Sequence, residues 1–441
     1  MMRALYSLLM WLLQPLVRAK LRRRARAEPA YGEQIDERFG FYAVAGAAAL
    51  RGEAGSGPFV WVHAVSLGET RAAAPLLVQL RLAMPGMRLL LTHGTATGRE
   101  QGRTLLQPGD VQVWYPWDTP GAVERFLTRF QPRVGLLVET EVWPNMVAAC
   151  AARHVPLCLV NARLSEKSLA DAQGLGWLAR PAYRGLHAVW AQTAQDAARL
   201  SALGAPVAGV FGNFKFDAAP DPAQLRQGRA WHGAQGRPVL VFANTRDGEE
   251  AVFLDILKKN WTLAPVNIEN VATISVASRA VQWMLVPRHP QRFDEVARLC
   301  EARGFSVSRR SQWTHGPKVA DIWLGDTMGE MALYYALSDV ALLGGSFEPL
   351  GGHNLIEATA CGCPVVMGPH TFNFAQAAQL AQDAGAAFAA ADMAQALDRC
   401  GALLQSPADL QRAREAATSL GQAHTGAAQR TAEAVKQLVA V

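Results

Sequence analysis

Several motifs that define common classes of α/β protein are missing from the sequence. No G-x-G-x-x-G follows a predicted strand, which argues against a dinucleotide-binding dehydrogenase. No G-x-x-x-x-G-K-[ST] is present, so the P-loop ATPases are excluded. The absence of a D-x-D pair, of H-E-x-x-H and of comparable clusters disfavours a catalytic metal. We therefore expect no metal site and no bound cofactor.

Cysteine is scarce, and no two cysteines have the C-x-x-C spacing of a zinc site. We expect the six cysteines to be reduced core residues in a cytosolic compartment. With 50% hydrophobic and 18% charged residues among 441, the chain is long enough for two folded domains with substantial cores. The cysteines are Cys150, Cys158, Cys300, Cys361, Cys363 and Cys400.

An apolar segment near the N-terminus is too short to cross a bilayer as a helix. Residues 4–17, "ALYSLLMWLLQPLV", carry no charge, but these 14 residues fall short of the roughly 20 that a span needs. Basic residues follow the apolar run, which is the reverse of a secretory signal. We predict that residues 1–28 form a membrane-associated helix with a basic cluster on anionic headgroups, at the cytoplasmic side of a membrane. An ordinary helix packed on the domain and a tilted full span are the alternatives.

Positive charge is concentrated in this segment. Residues 1–26 contain seven Arg and Lys and no acid, which is +7 against +6 for the whole chain, so the remaining residues carry −1. A broad basic surface for nucleic acid is therefore not expected. Nothing in the pattern indicates a protein partner.

From residue 58 onward, short apolar runs alternate with helical periods, which is typical of βαβ units. A polar, proline-containing stretch at 218–235 separates two such series and is interpreted as a linker. We predict an α/β protein with two Rossmann-like, doubly wound domains facing a cleft, at 29–217 and 236–441. The predicted strands are "FVWVHAV", "RLLLTHG", "VQVWYPW", "VGLLVETE", "PLCLVNAR", "AVWAQT", "PVAGVFGN", "VLVFANT", "WMLVPRH", "DIWLGDT", "DVALLGGS" and "CPVVMGP".

Polar residues cluster where these strands end. Since ligands of doubly wound sheets bind outside the carboxyl ends of the strands, we expect the clusters to open towards one crevice. Eight such clusters at one end are hard to explain as helix caps alone. They are Ser66 to Glu69, His93 to Thr97, Glu139 to Trp143, Asn161 to Arg163, Asn213 to Lys215, Thr245 to Arg246, Pro287 to His289, and Ser346 to Asn354.

In the first half, Glu69 of "HAVSLGET" stands at a strand-to-helix corner, where it either caps the helix or acts as a base. Transfer of an activated sugar to an alcohol needs a base near the alcohol and cations near the leaving phosphate, roles that Glu69, Lys215 and Arg288 fit. Glu139 of "ETEVWPN" either has a raised pKa or pairs with a nearby cation. His63 and His93 are the alternative acid–base groups.

The second half contains glycine-rich turns that suit a nucleotide sugar. "GDTMGEM" runs from a predicted strand into a helix, where Gly329 leaves backbone N–H groups open to a phosphate. Gly344 and Gly345 allow close approach to the backbone, and Glu357 is placed to accept ribose hydroxyls. Arg288 suits an anionic phosphate or a base.

Nine stretches of the chain together resemble the 3-deoxy-D-manno-octulosonic acid (Kdo) transferases of lipopolysaccharide synthesis. The resemblance implies a GT-B fold and transfer of Kdo, with inversion and without a metal, from the substrate CMP-Kdo to the lipid A precursor lipid IVA. It also implies the cytoplasmic side of the cell inner membrane. The stretches are "RFGFY", "HAVSLGET", "YPWDTPGAVERFL", "ETEVWPN", "NARLSEKS", "GNFKFD", "LVPRHPQRF", "GDTMGEM" and "GGHNLIEA…GPHTFNF".

Position by position, the resemblance implies that Glu69 is the proton acceptor and that Glu139 and Lys215 stabilise the transition state. It implies that CMP is bound by Pro287, Arg288, Met328, Gly329, Glu330, Asn354, Leu355, Ile356 and Glu357. Arg38, Ser66 and Arg163 are our candidates for contacts with the acceptor.

The sequence departs from the family pattern at Leu355, where proline is common, and in residues 251–284, which exceed the usual single helix and favour an extra loop or short strand. Two other functions stay open. One is a GT-B transferase that uses a UDP-sugar, and the other is a non-catalytic scaffold at a membrane surface.

Overall fold

The structure is a computed structural model, and it describes residues 2–42, 58–217, 220–260 and 280–440. The chain divides into two compact units. The first unit contains residues 1–217 and 425–441, and the second unit contains residues 218–424.

The first unit is built on a parallel sheet of seven strands in the order β3-β2-β1-β4-β5-β6-β7. Most of its strands are buried along their length, as expected of a parallel sheet covered by helices on both faces. The strands are β1 Phe59–His63, β2 Arg88–His93, β3 Val111–Trp114, β4 Val134–Val138, β5 Leu157–Ala162, β6 Ala188–Ala191 and β7 Val207–Val210.

The helices of the first unit begin at identifiable caps, such as Ser66, Thr95, Ser165 and Thr193, whose hydroxyls accept backbone N–H bonds. They are α1 Met2–Leu12, α2 Gln14–Ala25, α3 Leu67–Ala83, α4 Ala96–Arg103, α5 Pro120–Phe130, α6 Pro144–Ala152, α7 Glu166–Gly174, α8 Gly176–Arg184, α9 Ala194–Ala202 and, from the C-terminus, α18 Ala427–Ala440.

The second unit repeats the architecture with the order β10-β11-β9-β8-β12-β13-β14, again all parallel. Its strands are β8 Val239–Thr245, β9 Gln282–Pro287, β10 Val307–Arg309, β11 Ile322–Leu324, β12 Val340–Leu343, β13 Val365–Met367 and β14 Ala387–Ala389. Its helices are α10 Pro222–Gly233, α11 Glu249–Asn260, α12 Phe293–Ala302, α13 Met331–Ala336, α14 Ile356–Ala360, α15 Ala375–Asp383, α16 Met393–Gln405 and α17 Pro407–His424.

The α/β architecture with two doubly wound sheets is confirmed, and each of the twelve predicted apolar runs contains a strand. Two further strands, β10 and β14, were not predicted, because each has only three residues and lies at an edge of its sheet. Of the long 251–284 segment, α11 extends to Asn260 and β9 begins at Gln282, while residues 261–279 lie outside the described residues.

The ends of the second unit differ from the predicted boundaries. The stretch interpreted as a linker, 218–235, forms mainly α10, whose first turn is capped by the Asp221 carboxylate and which packs on α13. The last helix, α18, belongs to the first unit instead of the C-terminal domain. Its apolar face, from Ala427 to Val435, completes the core under α3, and Asp217 accepts the N–H groups at its start.

The N-terminal helices α1 and α2 lie on the first unit through polar contacts. Tyr6 donates to Asp118 at 2.9 Å, and Trp117 donates to the carbonyl of Met10 at 3.0 Å. The leucines of α1 and Trp11 are half or more exposed. Within the described residues, no helix has the length and apolar character needed to cross a membrane, which gives no support to a full span.

Candidate functional site

Glu69 lies at the corner between β1 and α3, in the first turn of the helix. Ser66 caps α3, and its hydroxyl donates to Glu69 Oε1 at 3.1 Å. The backbone N–H of Val65 donates to Glu69 Oε2 at 2.7 Å. Glu69 therefore belongs to the capping network of α3, and its half-buried carboxylate keeps unused lone pairs, while its role as a base stays a prediction.

Burial, together with the nearby carboxylates of Glu139 and Glu141, raises the pKa of Glu69 to about 7, although the two hydrogen bonds act to lower it. No cation forms an ion pair with Glu69 among the described residues. A carboxylate with a pKa near neutrality can accept a proton from an alcohol and release it again at physiological pH. This pKa suits the general base that the sequence predicts at this corner.

Glu139 follows β4 in a left-handed backbone conformation, with φ of 68°. Its carboxylate is buried and pairs with Arg163, with Nε to Oε2 at 2.8 Å, and the backbone N–H of Arg163 donates to its carbonyl. The second of the two alternatives for Glu139, pairing with a cation, is therefore the one observed. The ion pair joins the ends of β4 and β5.

Glu141 and His63 form a contact that sequence reasoning missed. Nε2 of His63 lies 3.8 Å from Glu141 Oε2, and Trp143 donates to the same oxygen at 2.6 Å. Burial raises the pKa of Glu141, but the contacts with His63 and Trp143 outweigh it, so the pKa lies below its usual value. The second acid of "ETEVW", Glu141, was the feature of the sequence that could have pointed to this contact.

His93, an alternative acid–base group, is a buried structural residue. Its Nδ1 lies 2.8 Å from the carbonyl of Ala64, and its Nε2 lies 3.0 Å from Gln112. Burial lowers the pKa of His93 to about 3, so the imidazole is neutral at physiological pH. We therefore assign it no catalytic role.

Lys215 is held by an amide network at the ends of β5, β6 and β7. Its backbone N–H donates to Asn213 Oδ1 at 3.0 Å, and Asn213 Nδ2 donates to Gln192 at 3.0 Å. Asn161 accepts the N–H of Phe214 at 3.0 Å. These bonds position the 3-10 turn that carries the half-buried Lys215 side chain.

A cavity of about 340 Å³ opens beside the N-terminal helices of the first unit. It is lined by Lys20 and Arg24 of α2, by Arg38, and by His63 and Glu141. Arg38 stacks on Trp114 at 3.8 Å and donates to the carbonyl of Gly94 at 3.0 Å. Burial lowers the pKa of Arg38 to about 10, which still leaves it charged at neutral pH.

In the second unit, the candidates for CMP contacts fall into two groups. Pro287 ends β9, and the backbone N–H of Arg288 donates to Thr245 at 3.1 Å, which ties the ends of β9 and β8 together. Two members of the other group, Gly329 and Glu357, line a cavity of about 300 Å³ together with Asp221 and Gln224 from the predicted linker.

The 328–330 turn precedes α13. Met328 is exposed, Gly329 has φ of 79° and accepts a hydrogen bond from Gln224 at 2.8 Å, and Glu330 pairs with Arg310 at 2.7 Å. The positive φ explains the glycine, because other residues are strained there. Glu330 is thus already paired within the protein.

The turn before α14 is held by its own side chains. Asn354 Oδ1 accepts the N–H of Ile356 at 3.2 Å, and Asn354 Nδ2 donates to Glu357 at 3.1 Å. The side chains of Leu355 and Ile356 are buried, so these two residues can offer a ligand only their backbone. Glu357 is exposed at the cavity.

In the described part of the chain, no group of three His, Cys, Asp or Glu residues is arranged to hold a metal. The six cysteines are buried and form no disulfide, as predicted.

Comparison with known proteins gives consistent matches. Residues 33–218 match the family described as "3-Deoxy-D-manno-octulosonic-acid transferase (kdotransferase)". The chain is 48% identical to the 3-deoxy-D-manno-octulosonic acid transferase of Bordetella pertussis, over 98% of this chain and 99% of that protein. It is 31% identical to the enzyme of the same name from Haemophilus influenzae, over 99% and 98%.

Among solved structures, the chain is similar to the UDP-GlcNAc 2-epimerase of Neisseria meningitidis, with a TM-score of 0.55. The similarity covers 86% of this chain and 100% of that chain at 14% identity, and it shows the fold alone. The two-domain α/β fold of the GT-B kind is thereby confirmed.

Proposed function

Since this chain belongs to the family of 3-deoxy-D-manno-octulosonic acid (Kdo) transferases, we propose that it transfers Kdo from CMP-Kdo to lipid IVA with inversion. The observation that carries the proposal is the similarity to the Bordetella pertussis transferase, which extends over 98% of the chain. The local geometry of each unit supports a division of labour between acceptor chemistry and nucleotide binding.

In this reaction, Glu69 removes the proton from a sugar hydroxyl of the acceptor. The hydroxyl oxygen forms a bond to the anomeric carbon of Kdo, and the bond from that carbon to the phosphate oxygen of CMP breaks. Support comes from the pKa of about 7, which leaves a large fraction of Glu69 ionised at neutral pH. The bonds from Val65 and Ser66 keep the carboxylate in place.

The positive charge that offsets the departing CMP comes from Lys215 and Arg288. The ribose is held by Glu357 in the cavity that also contains Gly329. Glu139 pairs with Arg163, so the role that we assign to it is to hold charge at the end of β4 and not to transfer a proton. We propose these roles from the family resemblance together with the placement of each residue at the carboxyl end of a strand.

The acceptor enters the first unit at the cavity beside α2. Lys20, Arg24 and Arg38 make its lining basic, which suits the phosphate groups of a lipid A precursor. Adjacent to it, α1 exposes leucines and Trp11, a surface that suits the acyl region of a bilayer. We therefore place the protein at the cytoplasmic face of the inner membrane, lying on the surface.

The direct test is to incubate the purified protein with lipid IVA and CMP-Kdo and to weigh the lipid product. A mass increase of one or more Kdo residues is expected, and it should persist in EDTA if transfer needs no metal. No increase from folded protein would favour a scaffold. Thermal stabilisation by UDP but not by CMP would instead favour a UDP-sugar transferase, because only a ligand that binds the native state raises Tm.

A further inference from the structure

Four cation-capable side chains meet at the carboxyl ends of the second sheet, and we call them the cationic cluster. Arg246 follows β8, Arg288 and His289 follow β9, and His353 lies in the loop after β12. Of the four, only Arg288 is matched to the family's CMP-binding stretches. The cluster lies wholly within the second unit.

Within the cluster, Arg246 contacts His289 and lies close to His353, and the charge of Arg288 acts on both histidines. The Arg246 guanidinium lies 2.9 Å from Nε2 of His289. Gly345 separates Arg246 from His353, since a Cβ built on it would lie 3.1 Å from Nε2 of His353 and 3.5 Å from Cγ of Arg246. The φ of 68° at Gly345 and the absence of a side chain there are what let Arg246 and His353 approach each other.

No carboxylate of the described residues forms an ion pair with Arg246 or Arg288. The acids that follow Arg246 in the sequence are engaged elsewhere: Asp247 pairs with Arg292 at 3.4 Å, and Glu249, which is 2% exposed, accepts the backbone N–H groups of Arg246 and Gly345 at 2.8 and 2.9 Å. Glu249 is saturated by amides and anchors the loop, so among the residues that the structure describes no carboxylate is a counter-ion for the guanidinium of Arg246.

The positive charges of the arginines contribute to lowering the pKa values of the two histidines of the cluster. Burial, together with the charges of Arg288 and Arg246, lowers the pKa of His353 to about 4. Burial and the same two arginines also lower the pKa of His289. At neutral pH the cluster therefore has two fixed positive charges and two neutral imidazoles that can act as hydrogen-bond donors.

We propose that the cationic cluster binds the carboxylate of the transferred sugar beside the donor phosphate, and that Arg246 selects for a donor whose sugar is a 2-keto acid. This inference rests on the proposed function and deepens it. Arg288 contacts the phosphate, as the family resemblance implies, while Arg246, supported by His289 and His353, contacts the carboxylate.

The charge pattern of the donor matches the cluster. In a CMP-linked 2-keto sugar acid, the anomeric carbon bears both the phosphate oxygen and the carboxylate, so two single negative charges lie side by side. In a nucleoside diphosphate hexose, both groups that carry charge are phosphates and the sugar is neutral. Two arginines at the ends of neighbouring strands suit the first pattern, since each binds one planar or tetrahedral anion through charged hydrogen bonds.

The test compares CMP, which lacks the carboxylate, with CMP-Kdo. Arg246→Gln should leave the Kd of CMP, measured by calorimetry, within about 2-fold of the parent. It should lower kcat/KM for CMP-Kdo by roughly 10- to 100-fold, the size expected for one lost charged hydrogen bond. Arg288→Gln should weaken both ligands.

Two further variants separate charge from structure. Arg298→Gln makes the same change on an exposed face of α12 and should alter neither quantity. Arg246→Lys keeps the charge and should recover part of the lost rate. Equal losses for CMP and CMP-Kdo in Arg246→Gln, no loss for either, or no recovery with lysine would each overturn the proposal.

Failure of the proposed function gives a different result. Without acceptor, CMP-Kdo should raise the Tm of the parent more than CMP does, and Arg246→Gln should lose that difference. If the parent shows this difference but transfers no Kdo to lipid IVA, carboxylate recognition stands and the transfer reaction falls. If the parent shows no difference, carboxylate recognition falls.

Discussion

The two units place an acid at the same corner of the same topology, yet the two acids differ in what they can do. In each sheet a central strand, β1 or β8, runs into a helix, α3 or α11, with a glutamate in the first turn. These are Glu69 in the first unit and Glu249 in the second. Burial raises the pKa of both.

The two carboxylates differ in how many hydrogen bonds they already accept and in how far solvent can reach them. Glu249 is fully buried and accepts three close contacts from two backbone amides, so it has neither solvent access nor room for a substrate. Glu69 is half-buried, and one amide and one hydroxyl bind it. A carboxylate at this corner can therefore act as a base only where solvent access and free lone pairs remain.

The largest expected effect tests the base. Glu69→Gln should lower kcat for Kdo transfer by at least about 10²-fold, because the amide cannot accept the proton of the acceptor hydroxyl. The variant should keep the far-ultraviolet circular dichroism of the parent, since glutamine preserves the volume of the side chain. Turnover within a few-fold of the parent would reject the base assignment.

The pH profile of the parent is the control for this variant. With a pKa of about 7, Glu69 is protonated and inactive at low pH, so log kcat should rise with pH and level off above about 7. The residual rate of Glu69→Gln should lack this ascending limb. A limb that persists in the variant would assign the titration to another group.

The next effect tests the exposed apolar helix α1 of the first unit against another exposed helix of the same unit. Leu12 is 56% exposed, and we expect its side chain to enter the bilayer. Leu12→Gln removes this apolar contact and should weaken binding to vesicles that contain anionic lipid by about 10-fold. Leu82→Gln, at a leucine of α3 that is 68% exposed, is the matched control and should bind like the parent. Equal binding by both variants in vesicle sedimentation would contradict a role for α1.

The smallest effect separates the two acids by stability. Glu249→Ala leaves the buried backbone amides of Arg246 and Gly345 without an acceptor, which should lower the free energy of unfolding by about 1–3 kcal/mol. The Tm at pH 8 should therefore fall by several degrees. Glu69→Ala should shift Tm by no more than about 2 °C. The pKa of Glu69 in the folded protein, about 7, exceeds the unfolded value of about 4.3. Ionisation of Glu69 therefore lowers the free energy of unfolding as the pH rises from about 4.3 to 7, and Glu69→Ala removes this loss. If calorimetry gave equal decreases of Tm for Glu249→Ala and Glu69→Ala, the difference that we assign to the two acids would be wrong.

Much of the architecture could be predicted because it depends on the pattern of apolar and polar residues within short stretches of the chain. Continuous apolar runs such as "VWVHAV" predicted β1 and its neighbours, and the polar residues after them predicted which end of each sheet carries the candidate site. The return of α18 to the first unit could not be predicted. Its alanine-rich face suits any apolar groove, and its packing on α3 is a contact between residues more than 340 positions apart.

The sequence alone determined the family, the order of the twelve predicted strands, and the identity of the corner acid, because motif spacing and apolar periodicity are properties of neighbouring residues. Only the tertiary structure decided that Glu139 pairs with Arg163, that Glu141 contacts His63, and that Arg246 approaches His353 across Gly345. These contacts join residues on different strands, so their distances, burial and pKa values exist only once the sheets have formed.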